Sequence, residues 1–231
     1  MLRTITIGSL VVDMYQLMMD IGLLGMFFHV IRRRKKVSLS LVQSITFVLL
    51  MIVSGLFGAY LFGFLQTQNF GAINMFGAIF TVPLVMPIIG KLFKLTGAQV
   101  NDLSAVCLAI VNTFVKVGCF LGGCCEGIVS YIGNGYFQWP AQIMGVIGGT
   151  IIILWLLRIE AYETWQGALY PLFMLSYGIM RFFLNAITYI PIQWWGLQPS
   201  QWFALLSAII GFIWLVIYKN PTSQKRRVFK S

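Results

Sequence analysis

The sequence is short of acid. Of its 231 residues only 6 are Asp or Glu. Charged residues of both signs make up 10% of the chain, against roughly 25% in ordinary soluble domains. So few charges cannot keep a chain that is 59% hydrophobic in water, which excludes a soluble globular domain. There is a single histidine, His29, so chemistry built on clustered imidazoles is excluded too. No long polar linker, low-complexity segment or short-period repeat divides the chain, and 1–231 reads as one domain. A cleavable leader is also missing from the pattern. The charged block Arg32 to Lys36 follows the first apolar run instead of preceding it, so that run reads as a retained helix.

What is present is a series of apolar runs, at 7–31, 41–65, 72–93, 103–122, 141–157, 167–187 and 200–218. A spanning helix needs about 20 apolar residues, and each run meets this, 141–157 at the short limit. The expected fold is an all-α integral membrane bundle of about seven transmembrane helices. The 16 Lys and Arg residues then set its orientation. Five lie at 32–36, two at Lys91 and Lys94, one at Arg158, and five at Lys219, Lys225, Arg226, Arg227 and Lys230. With the N-terminus out and the C-terminus in, all of these face the cytoplasm and only Arg3 lies outside. The net charge of +10 therefore reports topology, and no stacking or groove-reading motif accompanies it, so nucleic acid is not an expected partner. The same topology places 66–71, 123–140 and 188–199 outside. The second connection carries Gly127, Gly133, Gly135, Tyr131, Tyr136, Phe137 and Trp139, and the third carries Trp194 and Trp195. Such aromatics anchor span ends at the interface, or form the mouth of a site.

Four charged residues fall inside the runs away from their cytoplasmic ends: Asp13, Asp20, Lys116 and Arg181. Each costs several kcal/mol in lipid unless it is paired or functional. Lys116 and Arg181 both sit about six residues from the outer end of their runs, roughly 9 Å deep at 1.5 Å per residue. Asp13, Gln16 and Asp20 make one polar helix face, Lys116 joins Asn112 and Cys119 on another, and Arg181 joins Tyr177 and Asn185 on a third. The expectation is a lateral cavity open to the outer leaflet, with two cations suited to the phosphate of an anionic phospholipid. The alternative is that Asp13 or Asp20 simply neutralises one of the cations. Cys119, Cys124, Cys125 and Glu126 offer ligand atoms, but zinc sites want four N or S ligands at set spacings. Adjacent Cys124 and Cys125 rarely share an ion. No metal and no cofactor are expected, and the cysteines read as small buried hydrophobes.

The segment Lys116-Val-Gly-Cys-Phe-Leu-Gly-Gly-Cys-Cys-Glu-Gly127 resembles the signature G-R-I-G-C-F-L-x-G-C-C-Y-G of the prolipoprotein diacylglyceryl transferases. Further pieces follow in family order. Tyr15-Gln-Leu-Met resembles Y-G-L-M, and Asp102, ahead of the fourth helix, matches a usual Asp. Trp139-Pro-Ala-Gln142 resembles H-P-S/T-Q, Tyr177-Gly-Ile-Met-Arg181-Phe resembles Y-G-x-x-R-F, and Gln201 matches a Gln opening the last helix. The resemblance implies a multi-pass protein of the bacterial plasma (inner) membrane. It implies phosphatidylglycerol as donor and, as acceptor, a secreted precursor protein or peptide with a cysteine. No metal or cofactor takes part. On this reading Tyr15, Glu126 and Arg181 are catalytic, and Lys116, Cys119, Gly127, Gln142 and Asn185 bind substrate.

The sequence departs from the family pattern where the chemistry is concentrated. The signature arginine is Lys116, which keeps the charge and loses the bidentate fork. A helix-three motif with His or Tyr aligns with Thr81-Val-Pro-Leu84, a helix-two arginine with Tyr60, and the H of H-P-S/T-Q with Trp139. The family's E-F-x-R is Asn185-Ala-Ile-Thr188. Glu126 stands where the family often has Tyr, and is a new carboxylate able to act as a base. Beside transfer chemistry stand a non-catalytic relative that binds lipid or a membrane partner, and a small transport subunit, since intramembrane charge serves these as well.

Overall fold

The computed structural model describes residues 4–7, 10–69, 71–132, 135–162, 166–188 and 194–219. Arg3, Gly133, part of the connection 188–199, and the tail cations Lys225, Arg226, Arg227 and Lys230 lie outside them. Seven helices form the body: α1 (Met14–Arg33), α2 (Leu41–Thr67), α3 (Met75–Gly90), α4 (Gly97–Gly122), α5 (Ala141–Glu160), α6 (Leu169–Ala186) and α7 (Pro199–Lys219). Two antiparallel hairpins accompany them, β1 (Thr4–Ile7) with β2 (Leu10–Asp13), and β3 (Val129–Ile132) with β4 (Gly135–Gln138). Six of the helices are long and apolar enough to cross a membrane. The 18-residue α6 falls short because Tyr177, Arg181 and Asn185 interrupt its apolar sequence. It packs chiefly against α7. The protein is an all-α membrane bundle.

Capping chemistry corrects several boundaries. The first apolar run is not one helix from residue 7. Its β-branched start pairs as a hairpin, with Thr4 opposite Asp13 and Ile7 opposite Leu10. Asp13 then caps α1, accepting a hydrogen bond from the Gln16 N–H at 3.0 Å. It is an exposed cap and not a charge within the span. The fourth helix begins at Gly97, six residues before its apolar run, because Thr96 and Gln99 form a capping box. Asp102 therefore lies inside α4 and not ahead of it. Its carboxylate accepts from the backbone N–H groups of Gly167 and, at 3.0 Å, Leu169, so it satisfies free donors at the start of α6. The short fifth run extends to Glu160, a full span. The outer connection after α4, expected as an aromatic loop, holds the β3–β4 hairpin.

Of the six long apolar helices α4 is the most buried, and it packs against α1, α3, α5 and α6. At the α2–α3 crossing, Gly58 and Gly77 face one another so closely that a Cβ on either would strike the other's backbone. Thr81 abuts Gly58 at the same crossing, so the position aligned with the family's His or Tyr is used for packing.

Consecutive helices alternate in direction, and contacts between distant segments confirm which ends lie together. At one end Glu160 meets Arg33 and His29, and the Tyr218 hydroxyl donates to the Gln166 carbonyl at 2.9 Å. Arg32 to Lys36, Lys91, Lys94 and Arg158 gather at this end by the same alternation. At the opposite end, Ile128 N–H donates to the Ile187 carbonyl at 2.8 Å and Gln198 Nε2 to the Thr188 carbonyl at 2.9 Å.

Candidate functional site

Near the end away from the cationic blocks, α4, α5 and α6 enclose a crevice lined by Asn112, Thr113, Lys116, Gly145, Gly149, Tyr177 and Arg181, among others. Two glycines on α5 make room for it. A Cβ on Gly145 would sit 3.2 Å from Lys116 Cδ, and one on Gly149 would strike Thr113 Oγ1. Lys116 and Arg181, from different helices, thus share one space, as their depth in the sequence suggested. Among the described residues neither forms a salt bridge, and the buried Arg181 Nε has no hydrogen-bond acceptor. Below them the Tyr177 hydroxyl donates to Asn112 Oδ1 at 2.9 Å, and Asn112 Nδ2 donates to the Leu108 carbonyl at 3.0 Å. That pair is satisfied and holds α6 against α4. The cavity has a volume of ≈ 10 Å³, room for about one water. The lateral cavity expected from the sequence is, at this point of the structure, a narrow crevice.

The neutralising acids proposed for these cations lie elsewhere. Gln16 Nε2 donates to Asp20 Oδ1 at 3.0 Å on an exposed face of α1. Asp20 borders an apolar groove against α2, with Leu23, Phe27, Ile45 and Val48. The stripe of Asp13, Gln16 and Asp20 does not reach the crevice, because α1 turns another face toward α4.

The crevice is continued by a thiol-bearing turn. α4 ends where Gly123 adopts a left-handed conformation and its N–H returns to the Cys119 carbonyl. Cys124 N–H bonds the same carbonyl at 3.0 Å. Cys125 is itself left-handed, with φ 56°, unusual for a residue with a Cβ. The result brings the sulfur atoms of Cys119, Cys124 and Cys125 within 4.8 Å of one another. The expectation that adjacent Cys124 and Cys125 rarely share an ion did not foresee this turn, and these two side chains are exposed where small buried hydrophobes were expected. A hydrogen bond with the Cys119 thiol holds the Cys125 thiol down at about 5 against the opposing effect of burial, assisted by the positive charges of Lys116 and Arg181. Tyr15, half-buried on α1, crosses α4 at Gly118 and lies within electrostatic reach of all three cysteines.

The remaining candidates support this turn from outside. Gln142, buried at the start of α5, donates from Nε2 to the Cys124 carbonyl at 2.9 Å. Gly127 packs under the Trp139 carbonyl, where a Cβ would collide, and bridges to Thr188. Asn185 is buried with its Nδ2 unpartnered and does not line the crevice. Glu126 is exposed, accepts from Gln138 Nε2 at 3.2 Å, and opens with Cys125 onto a separate recess of about 610 Å³. It is not brought together with Lys116 and Arg181 in one cavity. Gln138 and Thr113 are site residues that the sequence did not mark, since neither breaks an apolar pattern or belongs to a motif quoted above.

The bundle defines a polytopic membrane protein in which two half-buried cations, neither in a salt bridge among the described residues, line one crevice. The sequence matches the family described as prolipoprotein diacylglyceryl transferase over residues 3–218, and the chain belongs to that family. It is also similar to the phosphatidylglycerol--prolipoprotein diacylglyceryl transferase 2 of Clostridium perfringens (strain 13 / Type A), with 28% identity over 153 residues. That match covers 61% of this chain and 60% of the relative.

Proposed function

We propose that this protein, in the bacterial plasma membrane with its N-terminus outside, transfers a diacylglyceryl group from phosphatidylglycerol to the cysteine thiol of a secreted precursor. The observation that carries this reading is the pair of unneutralised cations, Lys116 and Arg181, on one crevice near the end away from the cytoplasmic charge blocks. The precursor thiol loses its proton to a base. Its sulfur attacks the glycerol carbon that bears the phosphate ester, and that carbon–oxygen bond breaks. The product is a thioether, and the leaving group is glycerol phosphate. Negative charge grows on the departing phosphate, where Lys116 and Arg181 are placed to meet it. No metal or cofactor is needed for this displacement.

Two groups compete as base. Tyr15 stands beside the three cysteines, and Glu126 faces the open recess through which a peptide has room to approach. Cys119, Gly127 and Gln142 shape the turn between them, and Asn185, four residues beyond Arg181 on α6, has a free donor. A crevice with room for about one water must widen before a phosphate enters, so α5 or α6 moves on substrate binding. The same narrowness, with Thr81 packed at a helix crossing, favours as second reading a lipid-binding relative without catalysis.

The test is purified protein with phosphatidylglycerol and a cysteine-containing lipobox peptide, with the thioether product sought by mass spectrometry. Product that disappears with Tyr15→Phe or with Glu126→Gln supports the transferase and identifies the base. Tight lipid binding without product from any acidic phospholipid supports the second reading and removes the first.

A further inference from the structure

The transfer reaction does not require three thiols in one place, yet the end of α4 gathers them. Their sulfur atoms lie within 4.8 Å of one another. An ion bound to three sulfurs at about 2.3 Å each holds those sulfurs about 4 Å apart, so the cluster closes on one ion with a shift of under about 1 Å. The backbone that builds it is fixed independently of any ligand. Gly123 and Cys125 are left-handed, the Cys119 carbonyl caps the turn, and Gln142 holds the Cys124 carbonyl from α5.

We propose that Cys119, Cys124 and Cys125 form a three-thiolate site for a soft d10 cation, Cu(I) before Zn(II). Two features decide between the ions. Among the described residues no imidazole or carboxylate joins the group, which leaves three ligands where zinc prefers four. Thiolate sets also select Cu(I) by softness. Charge points the same way. Three thiolates and one Cu(I) carry two negative charges, and Lys116 and Arg181, both felt at Cys125, supply two positive ones. Binding releases whatever thiol protons remain and forms copper–sulfur bonds with no change of oxidation state, so the copper is supplied already reduced. The bound ion would tie the outer turn to α4 at the edge of the crevice. This inference goes beyond the transferase reading and stands or falls without it.

The experiment uses the full chain in detergent, reduced and free of oxygen, titrated with Cu(I) against a chromophoric Cu(I) chelator. One Cu(I) per chain is expected, with near-ultraviolet sulfur-to-copper absorption. Affinity should fall at least ten-fold in each of Cys119→Ser, Cys124→Ser and Cys125→Ser, and stay unchanged in Cys107→Ser. Zn(II) should fail to displace the copper at equal concentration. Copper-edge X-ray absorption on the unaltered protein gives a readout that needs no variant to fold, and three sulfur neighbours are expected. Fewer than three sulfurs, displacement by Zn(II), or equal binding by the triple serine variant overturns the site. Transferase activity is scored separately, so loss of one proposal leaves the other intact.

Discussion

The two ends of the bundle treat charge in opposite ways. At the cationic end Glu160 is held between Arg33 and His29, and Asp102 closes the start of α6. At the other end Lys116 and Arg181 share a crevice with no carboxylate, and Arg181 Nε lacks an acceptor. A charge that finds its partner inside the fold serves the fold. One kept without a carboxylate partner is the kind of charge that the proposed function assigns to a substrate phosphate.

The largest expected effect breaks that contrast at the unpaired end. Arg181→Ala should lower transfer activity about 10²- to 10³-fold, as loss of a charge-stabilising donor does, while leaving the thermal midpoint in detergent nearly unchanged. A large drop in midpoint would show that Arg181 is structural after all. At the paired end the pattern should invert. Glu160→Ala leaves Arg33 and His29 without their partner and should destabilise the protein by roughly 3 kcal/mol, read by chemical or thermal unfolding, with activity per folded molecule retained. A third measurement tests whether the cations reach the thiol turn. Alkylation of Cys125, followed by peptide mapping, should stay fast down to pH near its value of about 5, because a lowered thiol pKa keeps the thiolate present below neutrality. An ordinary thiol, at about 8.5, slows tenfold per pH unit over that range. With Lys116→Met the rate profile should move toward ordinary behaviour. The smallest effect is at Asp102, where Asp102→Asn weakens a helix cap and should cost about 1 kcal/mol with no change in activity.

Much of the fold was legible because lipid imposes simple demands. Apolar run lengths gave the helices, and cation blocks at alternate run ends gave the end at which they gather. The errors came where local polar chemistry overrides hydropathy. The capping box at Thr96 and Gln99 starts α4 early, and the hairpin at Thr4–Asp13 consumes the start of the first run. In the site, depth counting placed Lys116 and Arg181 together correctly, since helical rise is uniform. It failed for Asp13, Gln16 and Asp20, because depth says nothing about which way a helix is rotated. The thiol cluster was illegible for a different reason. Its geometry depends on the backbone at Cys125 being left-handed, and residue type there argues against that conformation.

That conformation at Cys125 has an evolutionary consequence. Glycine adopts left-handed backbone freely, whereas a residue with a Cβ is strained there by roughly 1–2 kcal/mol. Cys125→Gly should therefore make the turn more comfortable while deleting the thiol. Any selection acting on robustness alone drives this position toward glycine, and so would a stability-guided redesign. The cysteine is the residue to watch when asking whether a lineage or an engineered variant has traded its thiol cluster for a sturdier frame.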